Sequence, residues 1–154
     1  DAKTIVFNIG SGNIEAGNNK NKKKLAVFDI EMQQYYDYLI SQVLYQDSIE
    51  CYTFTVEMKE GLQKNEEEQL LIRKLVSYFD KETFNIMYRK YVMSYRNWLI
   101  DLDVTVEVYM DYTKEKLVPS YIHYNGLWDI PFAKPEYADF KLWNYNFMPK
   151  KSSD

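Results

Sequence analysis

The chain has few of the residues that carry most chemistry at neutral pH. It contains one histidine and one cysteine among its 154 residues. Histidine is the usual proton carrier near neutral pH, and histidine and cysteine are the main protein ligands for zinc. This scarcity argues against thiol chemistry and His-rich metal sites, and we expect no cofactor and no bound metal. Because Cys51 is alone, the chain cannot form an internal disulfide bond.

A long hydrophobic run and a basic charge balance are also missing. No run approaches the roughly 18 apolar residues that a transmembrane helix needs. The formal net charge is −4, whereas nucleic-acid-binding domains usually present a basic surface. We therefore expect no membrane span, and nucleic acid is a disfavoured partner. The basic run Lys20–Lys24 keeps a nucleic-acid-binding accessory protein open as a third functional alternative.

Recognisable catalytic motifs are absent as well. The sequence has no glycine-rich phosphate loop, no paired-cysteine metal spacing, no His-Glu-x-x-His helix and no nucleophile elbow. The lone His123 cannot anchor a His-rich metal site, and a structural or surface role is the simpler interpretation. Enzymatic activity is therefore undecided, and a binding role is favoured.

Aromatic residues, in contrast, are abundant: 15 tyrosines, 8 phenylalanines and 3 tryptophans. Tyrosine and tryptophan join a large apolar area to a polar tip, which suits both cores and recognition surfaces. Nine aromatic residues lie between Tyr121 and Phe147. We predict a binding surface there, formed by Trp128, Trp143, Tyr124 and Tyr145. The alternative is that these rings fix short irregular segments to the core.

Hydrophobic periodicity predicts three helices. Apolar residues recur at spacings of three and four near 26–46, 65–80 and 82–99, as on one face of a helix. Asn65 and Glu68 have the spacing of a capping box at the start of the second helix. An alternative starts the first stretch as a strand, at residues 25–28.

Strict alternation of apolar and polar residues predicts strands at 50–58 and 102–112. Residues 113–116 form a plausible hairpin loop into a return strand, 117–124, in which Pro119 indicates an edge or a bulge. Asn125-Gly126 is a hairpin turn signal. Residues 3–9 have strand-forming composition, and a last short strand is expected within 139–147.

Together these elements predict an α+β fold. About three helices would pack on one face of a mainly antiparallel sheet of four to five strands. We expect an N-terminal strand and flexible segment at 1–24, a single α+β domain at 25–148 and a polar tail at 149–154. Because the first residue is Asp1, the chain is consistent with the processed part of an exported or viral precursor.

Two sets of charged residues are candidates for chemistry. Arg89 and Arg96 are seven positions apart, which places them on nearly one helix face, where they could bind an anion. The simpler alternative is that each arginine forms an ion pair with nearby acidic residues. Acidic residues also recur on the solvent side of strand 102–112, and the first three are Asp101, Asp103 and Glu107. A solvated strand face is their simplest interpretation.

The sequence is therefore compatible with three functions. The leading one is a non-catalytic binding or assembly domain that presents an aromatic-rich surface to a protein or glycan, with self-association as a further option. The second is a small hydrolase or lyase that uses carboxylates such as Asp101, Asp103 and Glu107. The third is the nucleic-acid-binding accessory protein.

Overall fold

The computed structural model describes residues 27–68, 70–96, 101–113, 116–129 and 134–145. They form one antiparallel sheet of seven strands, which lie side by side in the order of the chain. The strands are β1 (Tyr36–Tyr45), β2 (Ile49–Met58), β3 (Ile72–Asp80), β4 (Ile86–Arg96), β5 (Asp101–Tyr112), β6 (Leu117–Asp129) and β7 (Glu136–Trp143). Helical structure in these ranges consists of a 3-10 turn, Gln33–Tyr35, and a one-turn helix, α1 (Lys64–Glu67).

The predicted α+β fold with three helices is wrong. The three stretches expected to be helical contain β1, β3 and β4 instead. Each of these strands carries apolar residues on both faces, and such a pattern can coincide with the 3.6-residue repeat of a helix. Their tyrosine, isoleucine and valine content favours a pleated strand, and this was the better guide.

The predicted capping box is displaced by two residues. The box that forms joins Gln63 and Glu66, and the backbone N–H of Gln63 donates to Glu66 Oε2 at 3.0 Å. α1 ends after a single turn because the chain then enters β3, where Ile72 and Leu75 are buried in the core.

The strands predicted from alternation are confirmed as β2 and β5. The predicted hairpin pairing of the strands on either side is confirmed too: β5 pairs with β6, and the Thr113 N–H donates to the Lys116 carbonyl at 2.9 Å. Pro119 lies at a register shift, opposite Met110, so the predicted bulge is present.

The predicted turn at Asn125-Gly126 is wrong, because both residues lie inside β6 and pair with β5. Gly126 is needed there for space. A Cβ at this position would lie 2.8 Å from Tyr124 Cε1, so the glycine lets the Tyr124 ring lie across the strand.

Pairing register divides the side chains between two faces of the sheet. The first face carries the main core, which includes Tyr36, Val56, Leu75, Tyr91 and Val106. Val27 and Met32, from the segment before β1, pack into the same cluster. This segment therefore covers part of the first face.

The second face has a smaller buried cluster at one end, which includes Tyr45, Cys51 and Tyr88. Tyr45 of β1 donates a hydrogen bond of 3.1 Å to the Met110 carbonyl of β5. Neighbouring strands are about 4.8 Å apart, so this bond requires the sheet to curl strongly here.

The predicted N-terminal strand and flexible segment (1–24) and the polar tail (149–154) lie outside the described residues. The proposed domain division therefore stays a prediction. In the ranges that the structure covers, neither helical element has the length and apolar character needed to cross a membrane.

Candidate functional site

Five aromatic side chains form a continuous row across the second face, from β3 to β7. The strand register places them opposite one another in turn: Tyr78, Tyr88, Tyr109, Tyr121 and Trp143. The ring-centroid distances along this row are 4.7, 4.8, 5.4 and 5.1 Å. We call these five residues the aromatic ladder.

The aromatic ladder is most buried at Tyr88 of β4 and most exposed at Trp143 of β7. Tyr88 is 7% exposed, whereas Trp143 is 59% exposed. Neighbouring rings are inclined by 42–60° and pack against each other. Cross-strand aromatic pairs of this kind stabilise a sheet. The inner rings therefore hold strands together, and the Trp143 end is accessible to a ligand.

A set of polar side chains lies beside the aromatic ladder on the same face. His123 Nδ1 is 3.4 Å from Glu107 Oε2, and His123 Nε2 is 3.1 Å from Asp139 Oδ1. Asn125 Nδ2 and the Tyr137 hydroxyl lie 3.1 and 3.3 Å from Asp139 Oδ2, and both donate to it. We call Glu107, His123, Asn125, Tyr137 and Asp139 the polar cluster. The rings of His123 and Tyr121 are 6.4 Å apart, so the polar cluster and the aromatic ladder adjoin.

Both carboxylates of the polar cluster favour the ionised form. Burial acts to raise the pKa of Glu107, but the hydrogen bond from Tyr88 (2.6 Å), the Lys90 charge and His123 together lower the pKa below its ordinary value. The hydrogen bond from Asn125 is the main cause that lowers the pKa of Asp139. Burial and the neighbouring Glu107 raise the pKa of Tyr88, so its hydroxyl stays protonated and donates.

The four aromatic residues predicted to form one binding surface are divided between the two faces. Trp128 and Tyr124 lie on the first face, where Trp128 Nε1 donates to the Tyr124 hydroxyl at 3.0 Å. Tyr124 also stacks on Phe140, with the ring centroids 4.8 Å apart. Trp143 lies on the second face, and Tyr145 follows β7 and is 78% exposed. Of the four, only Trp143 belongs to the aromatic ladder.

The structure does not bring Arg89 and Arg96 together. A separation of seven is two turns of a helix, but it is an odd number, so in a strand the two side chains point to opposite faces. Arg89 Nε donates to Ser77 Oγ at 3.1 Å, and its guanidinium lies 6.0 Å from the centre of the Tyr91 ring. Arg96 Nη2 is 2.8 Å from Asp103 Oδ2. Arg96 therefore forms an ion pair with an acidic residue, as the simpler alternative predicted.

Cys51 is fully buried. Burial raises the pKa of its thiol, which disfavours the reactive thiolate. Across the described ranges, no three His, Cys, Asp or Glu side chains are arranged to hold a metal ion.

Sequence reasoning missed most of the candidate site. Glu107 and His123 were considered only separately, and Tyr121, Asn125 and Asp139 had no assigned site role. Alternation along β5 shows that Glu107 and Tyr109 share a face. Their neighbours on β6 and β7 depend on the strand register, which no local pattern supplied.

Comparison of the chain with protein-family models, with curated proteins and with solved structures gives no match. The function must therefore be argued from the geometry of the site.

Proposed function

We propose that this protein is a non-catalytic binding domain that holds a neutral glycan on the second face of its sheet. One observation carries this proposal. The exposed end of the aromatic ladder, formed by Trp143 and Tyr121, is in contact with the polar cluster. The polar side chains are already held by hydrogen bonds to one another, and such preorganisation lowers the entropic cost of binding.

The two adjoining groups match the two kinds of surface on a sugar. The C–H face of a pyranose ring is apolar and stacks on aromatic rings, whereas its hydroxyl groups both donate and accept hydrogen bonds. Carboxylates such as Asp139 accept, and the amide of Asn125 can do both. Trp143 and Asp139 are four positions apart on β7, which is about 13 Å along a strand. This length suits a ligand of more than one sugar unit.

Charge favours a neutral glycan over an anionic one. Glu107 and Asp139 both face the ligand side, with side chains 19% and 37% exposed. Their pKa values are lowered, so both carry a negative charge at neutral pH. The formal net charge of the chain is also negative, at −4. Lys90 Nζ lies 3.4 Å from Glu107 Oε1 and offsets its charge, so Asp139 is the group that would repel an anionic polysaccharide.

A protein partner fits this surface less well. Protein-binding hot spots concentrate in well-packed, desolvated pockets near the centre of an interface. Here Trp143 lies on the outer strand and is 59% exposed, not enclosed in a pocket. A hydrolase using Glu107 and Asp139 receives no support either, because a general acid in glycoside hydrolysis needs a raised pKa.

Affinity gel electrophoresis of the full chain tests the proposal. Separate gels would contain hydroxyethylcellulose, mannan or xylan as neutral probes and alginate as the anionic probe. We expect retardation by at least one neutral polysaccharide and none by alginate. Trp143→Ala should abolish the retardation because it removes the exposed stacking ring.

Tyr145→Ala provides a matched control, because Tyr145 is an exposed aromatic residue outside the aromatic ladder. It should be retarded like the unmodified chain. The proposal fails if no neutral probe retards the protein, if alginate does so equally, or if Trp143→Ala is retarded as strongly as Tyr145→Ala.

A further inference from the structure

β1 lies at one end of the strand order, and no described strand pairs with its outer side. Natural proteins usually protect such strands with charges, proline or bulges. Residues 38–45 contain no charged residue, no proline and no glycine. The pairing of β1 with β2 is regular over all ten positions, and Leu39 and Ile40 are 62% and 70% exposed. Within the part of the chain that the structure describes, the outer side of β1 is therefore an unprotected strand edge.

One hydrogen bond fixes which backbone groups of β1 point outwards. Lys59 N donates to Tyr35 O at 2.9 Å, and these residues continue the register of β1 with β2. Because bonded and non-bonded pairs alternate in an antiparallel ladder, the odd-numbered residues of β1 bond to β2. The even-numbered residues therefore direct their N–H and C=O groups to the outer side: Tyr38, Ile40, Gln42 and Leu44. The Tyr36 N–H already donates to the Gln33 carbonyl.

We propose that two copies of this chain pair through β1, antiparallel and related by a two-fold axis at Ile40. In this register Ile40 lies opposite Ile40 of the second copy, and Tyr38 lies opposite Gln42. The outward N–H and C=O groups of Tyr38, Ile40 and Gln42 all gain partners, and the seven-stranded sheets join into one. A two-fold interface uses the same patch on both copies.

Charge favours pairing of β1 with β1 of a second copy over pairing of β1 with β7. Asp37 is the only charged residue of β1, and in this register it lies opposite Val43, so no like charges meet. Pairing of β1 with β7 of another copy would build an open filament. That arrangement is disfavoured because β7 carries Glu136, Asp139 and Lys141, which protect its edge.

Size-exclusion chromatography with light scattering of the full chain tests the pairing. We expect twice the chain mass of 18.5 kDa. Ile40→Lys places two positive charges directly opposite each other and should give the mass of a single chain. Leu142→Lys is the matched control, an exposed leucine on β7 at the opposite end of the sheet, and should keep the double mass.

A cysteine cross-link tests the register independently of any loss of folding. Directly opposite Cα atoms in a bonded pair are about 5.5 Å apart, within the range of a disulfide. Ile40→Cys should form a dimer-sized disulfide product on mild oxidation, and Leu142→Cys should not.

Three results would overturn the proposal. The first is a single-chain mass for the unmodified protein, which would also follow if residues 1–26 occupied this edge. The second is a double mass that survives Ile40→Lys. The third is a ladder of larger species, which would indicate filament-like pairing of β1 with β7.

Discussion

Tyrosine serves this fold because one side chain can fill the core and satisfy a polar group. The buried Tyr36 donates to the Ile72 carbonyl at 2.9 Å, and Tyr45 donates to the Met110 carbonyl at 3.1 Å. Burial raises the pKa of Tyr45 to about 12, so its hydroxyl remains a donor at neutral pH. Each ring thus contributes apolar area without leaving an unsatisfied hydroxyl.

Asp80 is the residue that links folding to acid pH most directly. It is 7% exposed and accepts hydrogen bonds from Glu82 N (2.8 Å), Thr83 N (3.2 Å) and the Tyr112 hydroxyl (3.0 Å). Burial acts to raise its pKa, but these hydrogen bonds lower it below the ordinary value. The stabilisation is therefore present above the unfolded pKa of about 3.9 and is lost as pH falls through the lower, folded pKa.

We expect Asp80→Asn to lower the free energy of unfolding by about 1–3 kcal/mol at neutral pH, because an amide cannot replace all three acceptor contacts. Below a pH of about 4, the difference in the free energy of unfolding between the variant and the unmodified protein should become smaller. Urea denaturation at neutral and acid pH measures both effects. Asp101→Asn, at an exposed position, is the control. If this difference in the free energy of unfolding does not change with pH, Asp80 is not the residue that links folding to acid pH.

At the scale of elements, β4 shows how strand geometry separates residues that a helix would bring together. Arg89 packs on the first face against Ser77 and Tyr91, whereas Arg96 lies on the second face in an exposed pair with Asp103. Their contributions to stability should differ accordingly.

Arg89→Ala should lower the free energy of unfolding by about 1–3 kcal/mol, because it leaves the buried Ser77 hydroxyl without this partner. Arg96→Ala should cost less than about 1 kcal/mol, since exposed ion pairs contribute little. Chemical denaturation of both variants makes the comparison. Equal losses would contradict the different environments assigned to the two arginines.

The same elements show how far the sequence could predict the structure. β2 and β5 were identified because polar residues alternate with apolar ones along them. β1, β3 and β4 were mistaken for helices because they carry apolar side chains on both faces, so the period of two is obscured. Aromatic and β-branched content was a usable signal in all three.

At the scale of the whole molecule, pairing of two copies through β1 would affect how the protein binds a glycan polymer. A two-fold axis through the β1 pair, perpendicular to the joined sheets, places the second faces of both copies on the same side. Two glycan sites would then face one polymer, and binding to a polymer would gain from avidity.

Ile40→Lys should therefore weaken retardation by the neutral polysaccharide that binds the unmodified chain. It should leave the affinity for a short oligosaccharide of the same type unchanged, because each single site is intact. Gel retardation and isothermal titration calorimetry separate the two effects. Loss of oligosaccharide binding in this variant would mean that the strand edge and the glycan site are not independent.

The sequence alone determined that the chain is aromatic-rich, acidic, poor in histidine and cysteine, and built around at least two alternating strands. Those properties are local and can be counted or seen in a short window. Only the tertiary structure decided that Tyr88, Tyr109 and Tyr121 lie in one row, or that Glu107, His123 and Asp139 meet. The physical reason is that a sheet joins residues through strand register, and a shift of one residue moves every side chain to the other face.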